Sequence, residues 1–227
     1  MNIQQPQAFI FDLNGTMIDD MRYHTQAWYD MLNTELGARL SWEQVKQEMY
    51  GKNEELLVRV FGKDRFSIDE MQHWSLEKER RYQAAFRPRL KLIDGLENFL
   101  KTASNAGIRL AIGTAAIPIN VDFVLDGLKI RNYFSAVVTA ADVAHSKPDP
   151  ETFLKAAQLL NVSPRDCLVF EDAPKGVEAA QNAAMQTIVL TTMHAATEFA
   201  AYPNIRAYIS NYTDPVLDPL FEKAIVL

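Results

Sequence analysis

Ala8-Phe9-Ile10-Phe11-Asp12-Leu13-Asn14-Gly15-Thr16 decides the fold: four apolar residues without polar alternation, then an acid, an amide and a glycine. A strand that is apolar on both faces belongs inside a parallel sheet covered by helices on either side. In an open sheet of that kind, ligands collect beyond the carboxyl ends of the strands, which is where Asp12 falls. Gly15 allows a tight turn that aims backbone amides at an anion. Alone this is a weak signal, because Asp and Asn at a strand end are common turn residues.

Four further apolar runs follow: Ile108-Arg109-Leu110-Ala111-Ile112, Ala136-Val137-Val138-Thr139, Leu168-Val169-Phe170 and Thr187-Ile188-Val189-Leu190. Helical patterns separate them. Asp94-Gly95-Leu96-Glu97 predicts an N-cap with an acid three positions on, Asp149-Pro150 predicts proline at the first helical position, and Gly107 closes the first of these helices. Strand and helix in alternation predict an α/β fold, a doubly wound parallel sheet with a Rossmann-like core.

One stretch breaks the rhythm. Between Ile18 and Pro88 there are helix signals and no convincing strand. Met21, Trp28, Met31, Leu32 and Leu36 share one helical face, Ser41-x-x-Gln44 and Ser67-x-x-Glu70 read as capping boxes, and Leu56, Leu57, Val60 and Phe61 form a stripe that Gly62 ends. The run Glu77-Lys78-Glu79-Arg80-Arg81 reads as a solvated helix face. The expected organisation is therefore a core of residues 1–17 and 89–227, with a small all-helical domain, 18–88, inserted after the first strand.

Composition narrows the function. The 227 residues are 48% hydrophobic and 23% charged, which is globular composition. With 23 basic against 29 acidic residues the formal charge is −6, so neither nucleic acid nor an anionic membrane is an expected partner. A few well-placed cations still suffice for a small anionic substrate. The N-terminus lacks the basic and apolar regions of a signal peptide, no apolar run approaches bilayer length, and the lone Cys167 fits a reducing compartment. A cytoplasmic protein is expected.

The ends of the other strands supply the chemistry. The second leads into Gly113-Thr114-Ala115-Ala116, the third is followed by Ser146-Lys147-Pro148-Asp149-Pro150, and the fourth leads into Glu171-Asp172-Ala173-Pro174. A carboxylate, a hydroxyl, an ammonium and an acid pair thus converge in order. Carboxylates facing one point need a cation, and hard oxygen ligands suit Mg²⁺. A lysine and a hydroxyl beside them suit phosphate oxygens.

These motifs, in this order and with a helical insertion between the first and second, resemble the haloacid dehalogenase superfamily. Ser146-Lys147-Pro148-Asp149-Pro150, Glu171-Asp172-Ala173-Pro174-Lys175-Gly176-Val177 and His24 with Ala27-Trp28 are similar to its β-phosphoglucomutase-like branch. The resemblance implies a Mg²⁺-dependent phosphohydrolase or phosphotransferase acting on a small phosphorylated metabolite through an aspartyl phosphate. It implies Asp12 as nucleophile, and Mg²⁺ held by Asp12, the Asn14 carbonyl and Asp172, with Glu171 in or near the shell. Thr114, Lys147 and the amides around Leu13, Asn14 and Ala115 would hold the phosphoryl oxygens. Thr16, His24, Gly51 and Lys52 would serve substrate binding, with the helical insertion acting as a cap.

The sequence departs from that pattern at Asn14, where the family usually carries a second Asp as general acid and base. An amide cannot exchange that proton, and general acid–base help is typically worth about 10²–10⁴ in rate. In the cap loop, Glu54 of Gly51-Lys52-Asn53-Glu54 stands near the position of a substrate-phosphate arginine, with Lys52 a substitute positive charge. Three alternatives stay open. One is C–P cleavage by a cap lysine, as in phosphonoacetaldehyde hydrolases. Another is metal-free dehalogenation, which the Glu171-Asp172 pair opposes. The last is a catalytically weakened descendant that binds phosphorylated ligands.

Overall fold

The computed structural model describes residues 5–221. Its strands are β1 (Ala8–Phe11), β2 (Arg109–Gly113), β3 (Ala136–Val138), β4 (Cys167–Glu171), β5 (Gln186–Leu190) and β6 (Ile205–Ile209). They form one sheet in the order β3-β2-β1-β4-β5-β6, every pair parallel. That is the doubly wound order, with its switch point between β1 and β4. β6 extends the five strands expected from the sequence. Ile205-Arg206-Ala207-Tyr208-Ile209 lies at the sheet edge and leaves Tyr208 exposed, so it lacks the continuous apolar run of a strand covered on both faces.

The chain divides into two compact units, Asp20–Leu90 and Met1–Asp19 with Lys91–Leu227. The first is helical: α1 (Met21–Asp30) continuing into a π-helical turn at Met31–Glu35, α2 (Trp42–Gln47), α3 (Asn53–Phe61) and α4 (Ile68–Phe86). The side chains of Ser41 and Ser67 each accept the backbone N–H three residues on, and Gln44 and Glu70 return the bond. Gly62 ends α3. Trp28, Met31, Leu32, Val45, Leu56 and Leu57 make this unit's own core.

The second unit packs α5 (Leu96–Asn105), α6 (Pro118–Gly127), α7 (Glu151–Leu160) and α8 (Pro174–Asn182) about the sheet. β1 shows why the sequence requires helices on both faces. Ala8 and Ile10 join Phe153 of α7 and Ala179 of α8 in one apolar cluster. Phe9 and Phe11 point the other way, Phe9 stacking on Phe99 of α5 at 5.5 Å and Phe11 on Phe170 at 4.7 Å. Each such buried phenylalanine stabilises the fold by about 1.5–3 kcal/mol. Two helix starts differ from expectation. Gly95, in a left-handed conformation and without a side-chain cap, precedes α5 in place of Asp94. Pro150 is the N-cap residue of α7 rather than its first residue, and Asp149 accepts from the Glu151 amide at 2.9 Å. Cys167 opens β4, buried, and burial with the nearby Asp166 pushes its thiol up to about 12. Among the described residues, no helix is long and apolar enough to cross a membrane.

Candidate active site

Sheet register brings the strand-end groups together. Phe11 pairs with Ile112 on one side and with Phe170 on the other, and the Asp12 amide donates to the Phe170 carbonyl at 2.9 Å. Asp12 is therefore level with Gly113 of β2 and Glu171 of β4. Thr114 follows one residue beyond; its amide bonds the Val138 carbonyl at 3.0 Å, and its hydroxyl accepts from the Ala116 amide at 3.1 Å.

Lys147 arrives from the loop ahead of α7, where the Lys147–Pro148 peptide is cis. Its ammonium donates to Asp12 Oδ1 at 2.6 Å and to Glu171 Oε1 at 2.8 Å, and lies 4.6 Å from the Phe153 ring centroid. Burial opposes the ammonium, but Asp12 and Glu171 outweigh it and hold Lys147 above the usual lysine range. A buried lysine between two carboxylates is a permanent positive charge beside Asp12.

Glu171, which the resemblance implies in or near the metal shell, has both carboxylate oxygens engaged by other groups. Its Oε1 faces Lys147, and its Oε2 accepts from the amides of Asp172 at 2.7 Å and Ala173 at 2.8 Å, at the start of α8. The carboxylate thus caps a helix start, where negative charge is favoured, and orients the lysine. Gly176 makes this possible, since a β-carbon there would stand 1.7 Å from Glu171 Oε1.

Asp172 meets the loop after β1. A β-carbon on Gly15, whose φ is +74°, would lie 2.0 Å from Asp172 Oδ2, so the loop backbone presses directly on this carboxylate. Thr16 is fully buried and its hydroxyl donates to Asp172 Oδ1 at 3.3 Å, which places it beneath the site rather than at its surface. Asn14 bridges to Ile18 through the backbone of the same loop. Among the described residues, no group of three His, Cys, Asp or Glu side chains is arranged to hold a metal. By their chemistry, hard carboxylate oxygens such as those of Asp12 and Asp172 would suit a small divalent cation.

The helical unit carries a separate polar cluster. Lys78, only 2% exposed, donates to His24 Nδ1 at 2.7 Å and to Glu79 Oε1 at 2.9 Å. The other ring nitrogen of His24, Nε2, lies 3.3 Å from Asp20 Oδ2. Both ring nitrogens of His24 are thereby engaged within this unit, and Tyr82 stacks on the ring at 3.6 Å while donating to Asp20. Burial raises the Glu79 carboxyl, but Lys78, His24 and Asn53 outweigh it and hold it at about 2. The run Glu77–Arg81 is thus no uniformly solvated face: Lys78 and Glu79 are buried. Their signal was the 3–4 spacing Ser75, Lys78/Glu79, Tyr82, Phe86, the inward stripe of α4. Lys52 precedes α3 and its amide donates to Glu55 Oε2 at 3.0 Å; Gly51 stands before it with φ +74°.

Two hydroxyls near the loop after β1 had no signal in the sequence. Thr192 Oγ1 donates to the Gly15 carbonyl at 2.6 Å, and the buried Tyr212 donates to the Thr16 carbonyl at 3.0 Å. Burial, then the charges of Asp12 and Asp172, push the Tyr212 phenol well above its usual range.

The sequence pattern of one family, described as haloacid dehalogenase-like hydrolase, matches residues 6–184. The chain is 31% identical over 188 residues to the β-phosphoglucomutase of Bacillus subtilis, covering 79% of this chain and 80% of that one. It is 32% identical over 186 residues to the fructose-1-phosphate phosphatase of Escherichia coli, covering 80% and 94%. The crystal structure of β-phosphoglucomutase from Clostridium difficile is similar with a TM-score of 0.82 at 25% identity, over 95% of this chain and 97% of that one. Matched over most of its length by the family pattern and by these relatives, the chain belongs to the haloacid dehalogenase-like hydrolases, in their β-phosphoglucomutase-like branch, and is a phosphatase or phosphomutase.

Proposed function

We propose that the enzyme transfers the phosphoryl group of a small phosphorylated metabolite, a sugar phosphate by analogy with its relatives, to the side chain of Asp12. The observation that carries this is the buried Lys147 bridge between Asp12 and Glu171 at the carboxyl edge of the sheet. An ionised carboxylate held there attacks phosphorus: the Asp12 Oδ–P bond forms as the P–O ester bond breaks, and the alkoxide takes its proton from solvent water. A second water then attacks phosphorus, its O–P bond forming as the Asp12 Oδ–P bond breaks, which releases phosphate and returns the Asp12 carboxylate. Lys147 offsets charge between the nucleophile and the phosphoryl oxygens, the Thr114 hydroxyl and the amides around Leu13, Asn14 and Ala115 bind those oxygens, and Glu171 keeps Lys147 in place.

Asp12, Asp172 and the Asn14 carbonyl would hold Mg²⁺. When bound, it neutralises charge on the phosphoryl group and orients it for in-line attack. Asn14 cannot give or take the proton that the leaving oxygen and the incoming water require, which makes both steps slow on substrates with poor leaving groups. His24, with its two nitrogens engaged by Lys78 and Asp20, is read as holding Lys78 rather than moving that proton. The helical unit is read as a cap, with Gly51 and Lys52 contributing to substrate choice.

The test is a panel of sugar phosphates and p-nitrophenyl phosphate assayed with Mg²⁺, with chelator and with Asp12→Asn. Turnover should require both the metal and Asp12, and beryllium fluoride should bind at Asp12 only in the presence of Mg²⁺. Undiminished phosphatase activity of Asp12→Asn would refute the proposal.

A further inference from the structure

The loop after β1 is tied down from outside by three successive carbonyls. Within the loop, the Gly15 amide bonds the Ile18 carbonyl at 2.8 Å and the Met17 amide bonds the Leu13 carbonyl at 2.8 Å. The Gly15, Thr16 and Met17 carbonyls instead accept from Thr192 Oγ1 at 2.6 Å, Tyr212 Oη at 3.0 Å and the Ile93 amide at 2.9 Å. Two of these donors are side-chain hydroxyls that follow β5 and β6, and both lie beyond residue 184, where the family pattern stops.

Tyr212 is itself rigidly placed. Its amide donates to the Asp94 carbonyl at 2.9 Å, and its ring packs 5.4 Å from Phe99 and 5.7 Å from Phe170. The Thr16 hydroxyl adds a bond to Asp172 Oδ1 at 3.3 Å, and such contacts with other segments fix the tilt of the loop against the sheet.

We propose that Thr192 and Tyr212 are positioning residues for the nucleophile loop: by clamping the Gly15 and Thr16 carbonyls they set the direction of the adjoining Asn14 carbonyl and of the loop amides. The proposal rests on the assignment of Asp12 as nucleophile and of the Asn14 carbonyl as a metal ligand. Without the clamp the loop still forms, because its internal bonds remain, but it holds the cation and the phosphoryl oxygens less accurately.

The test compares Thr192→Val and Tyr212→Phe, which keep shape and lose the hydroxyl, with Thr192→Ser, which keeps it. Thr187→Val serves as a control; that buried hydroxyl accepts from Asn204 Nδ2 at 3.1 Å, at the amino end of β5. On p-nitrophenyl phosphate, each hydroxyl-deleting variant should lose about tenfold in kcat, the worth of one well-formed hydrogen bond, with KM within about twofold. Calorimetry should show Mg²⁺ binding weakened by about threefold or more in the same two proteins, and Thr192→Ser and Thr187→Val within about twofold of the parent in both measures. Parent-like kcat and Mg²⁺ affinity in Thr192→Val and Tyr212→Phe would overturn the clamp. So would an equal loss in Thr187→Val, which would mark the effect as general destabilisation. Asp12→Asn keeps the two levels apart: retained turnover there strikes the nucleophile assignment, whereas its loss beside unimpaired hydroxyl variants strikes the clamp alone.

Discussion

Gly176→Ala sets two physical effects of opposite sign against each other. Gly176 lies in the first turn of α8, where replacing glycine by alanine should stabilise the helix by about 0.8–1 kcal/mol on propensity alone. The added β-carbon would, however, stand 1.7 Å from Glu171 Oε1 and 1.9 Å from Cδ, so the carboxylate must leave. It would abandon bonds of 2.8 Å to Lys147 and of 2.7 and 2.8 Å to two amides. Hydrogen bonds to charged groups are worth about 1.5–3 kcal/mol each, and Glu171 re-forms some of them with water. A net destabilisation of about 2–4 kcal/mol remains after the propensity gain. Urea unfolding of the two proteins measures it, and kcat on an aryl phosphate should fall in parallel as Lys147 loses one anchor. A Gly176→Ala protein as stable as the parent would refute the assignment of Glu171 to the lysine and the α8 amides.

Lys147→Ala should lower kcat/KM by about 10²–10³, the range for one preorganised electrostatic donor, and Lys147→Arg should rescue little because a planar fork replaces a point charge; steady-state kinetics decides, and an active Lys147→Ala would remove the lysine from the mechanism. Asn14→Asp should speed dephosphorylation of the phosphoenzyme, seen as loss of an initial burst on aryl phosphates and higher turnover on sugar phosphates. Turnover unchanged in Asn14→Asp would mean that another group carries the proton. Glu79 is depressed to about 2 from the usual 4.5, so its contribution to stability is complete above the unfolded value and is lost as pH falls toward 2. Thermal unfolding of Glu79→Gln should therefore be less stable than the parent at pH 7 and converge with it at acid pH; a constant difference from pH 7 to pH 2 would contradict the depressed carboxyl.

What the sequence shows and what it hides follow from how each group is used. β1 to β5 were legible because strands covered on both faces must be continuously apolar, and the positions of Asp12, Thr114 and Asp172 after their strands were legible because the parallel topology sends those strand ends to one edge of the sheet. β6 escaped because an edge strand tolerates Arg206 and an exposed Tyr208. Lys78 and Glu79 were hidden among charges, of which Arg80 is exposed as expected; only the inward stripe of α4 separates them. Asp94 looked like a cap because its residue type favours that role, but the left-handed backbone at Gly95 begins the helix instead. Thr192 and Tyr212 act on backbone carbonyls, and a carbonyl acceptor leaves no residue type to recognise and no spacing to count.

Cys167 turns the core into its own reporter. The chain contains a single cysteine, buried at the amino end of β4, next to the central strand and at the opposite end of that strand from Glu171. With its thiol pushed up to about 12, it is scarcely ionised at neutral pH and shielded from reagents while the sheet is closed. Labelling by an aromatic disulfide can then proceed only through openings that expose β4, so its rate counts those openings directly. Bound ligand slows the label to the extent that it stabilises the closed sheet, which gives a binding assay that needs no turnover and no introduced probe.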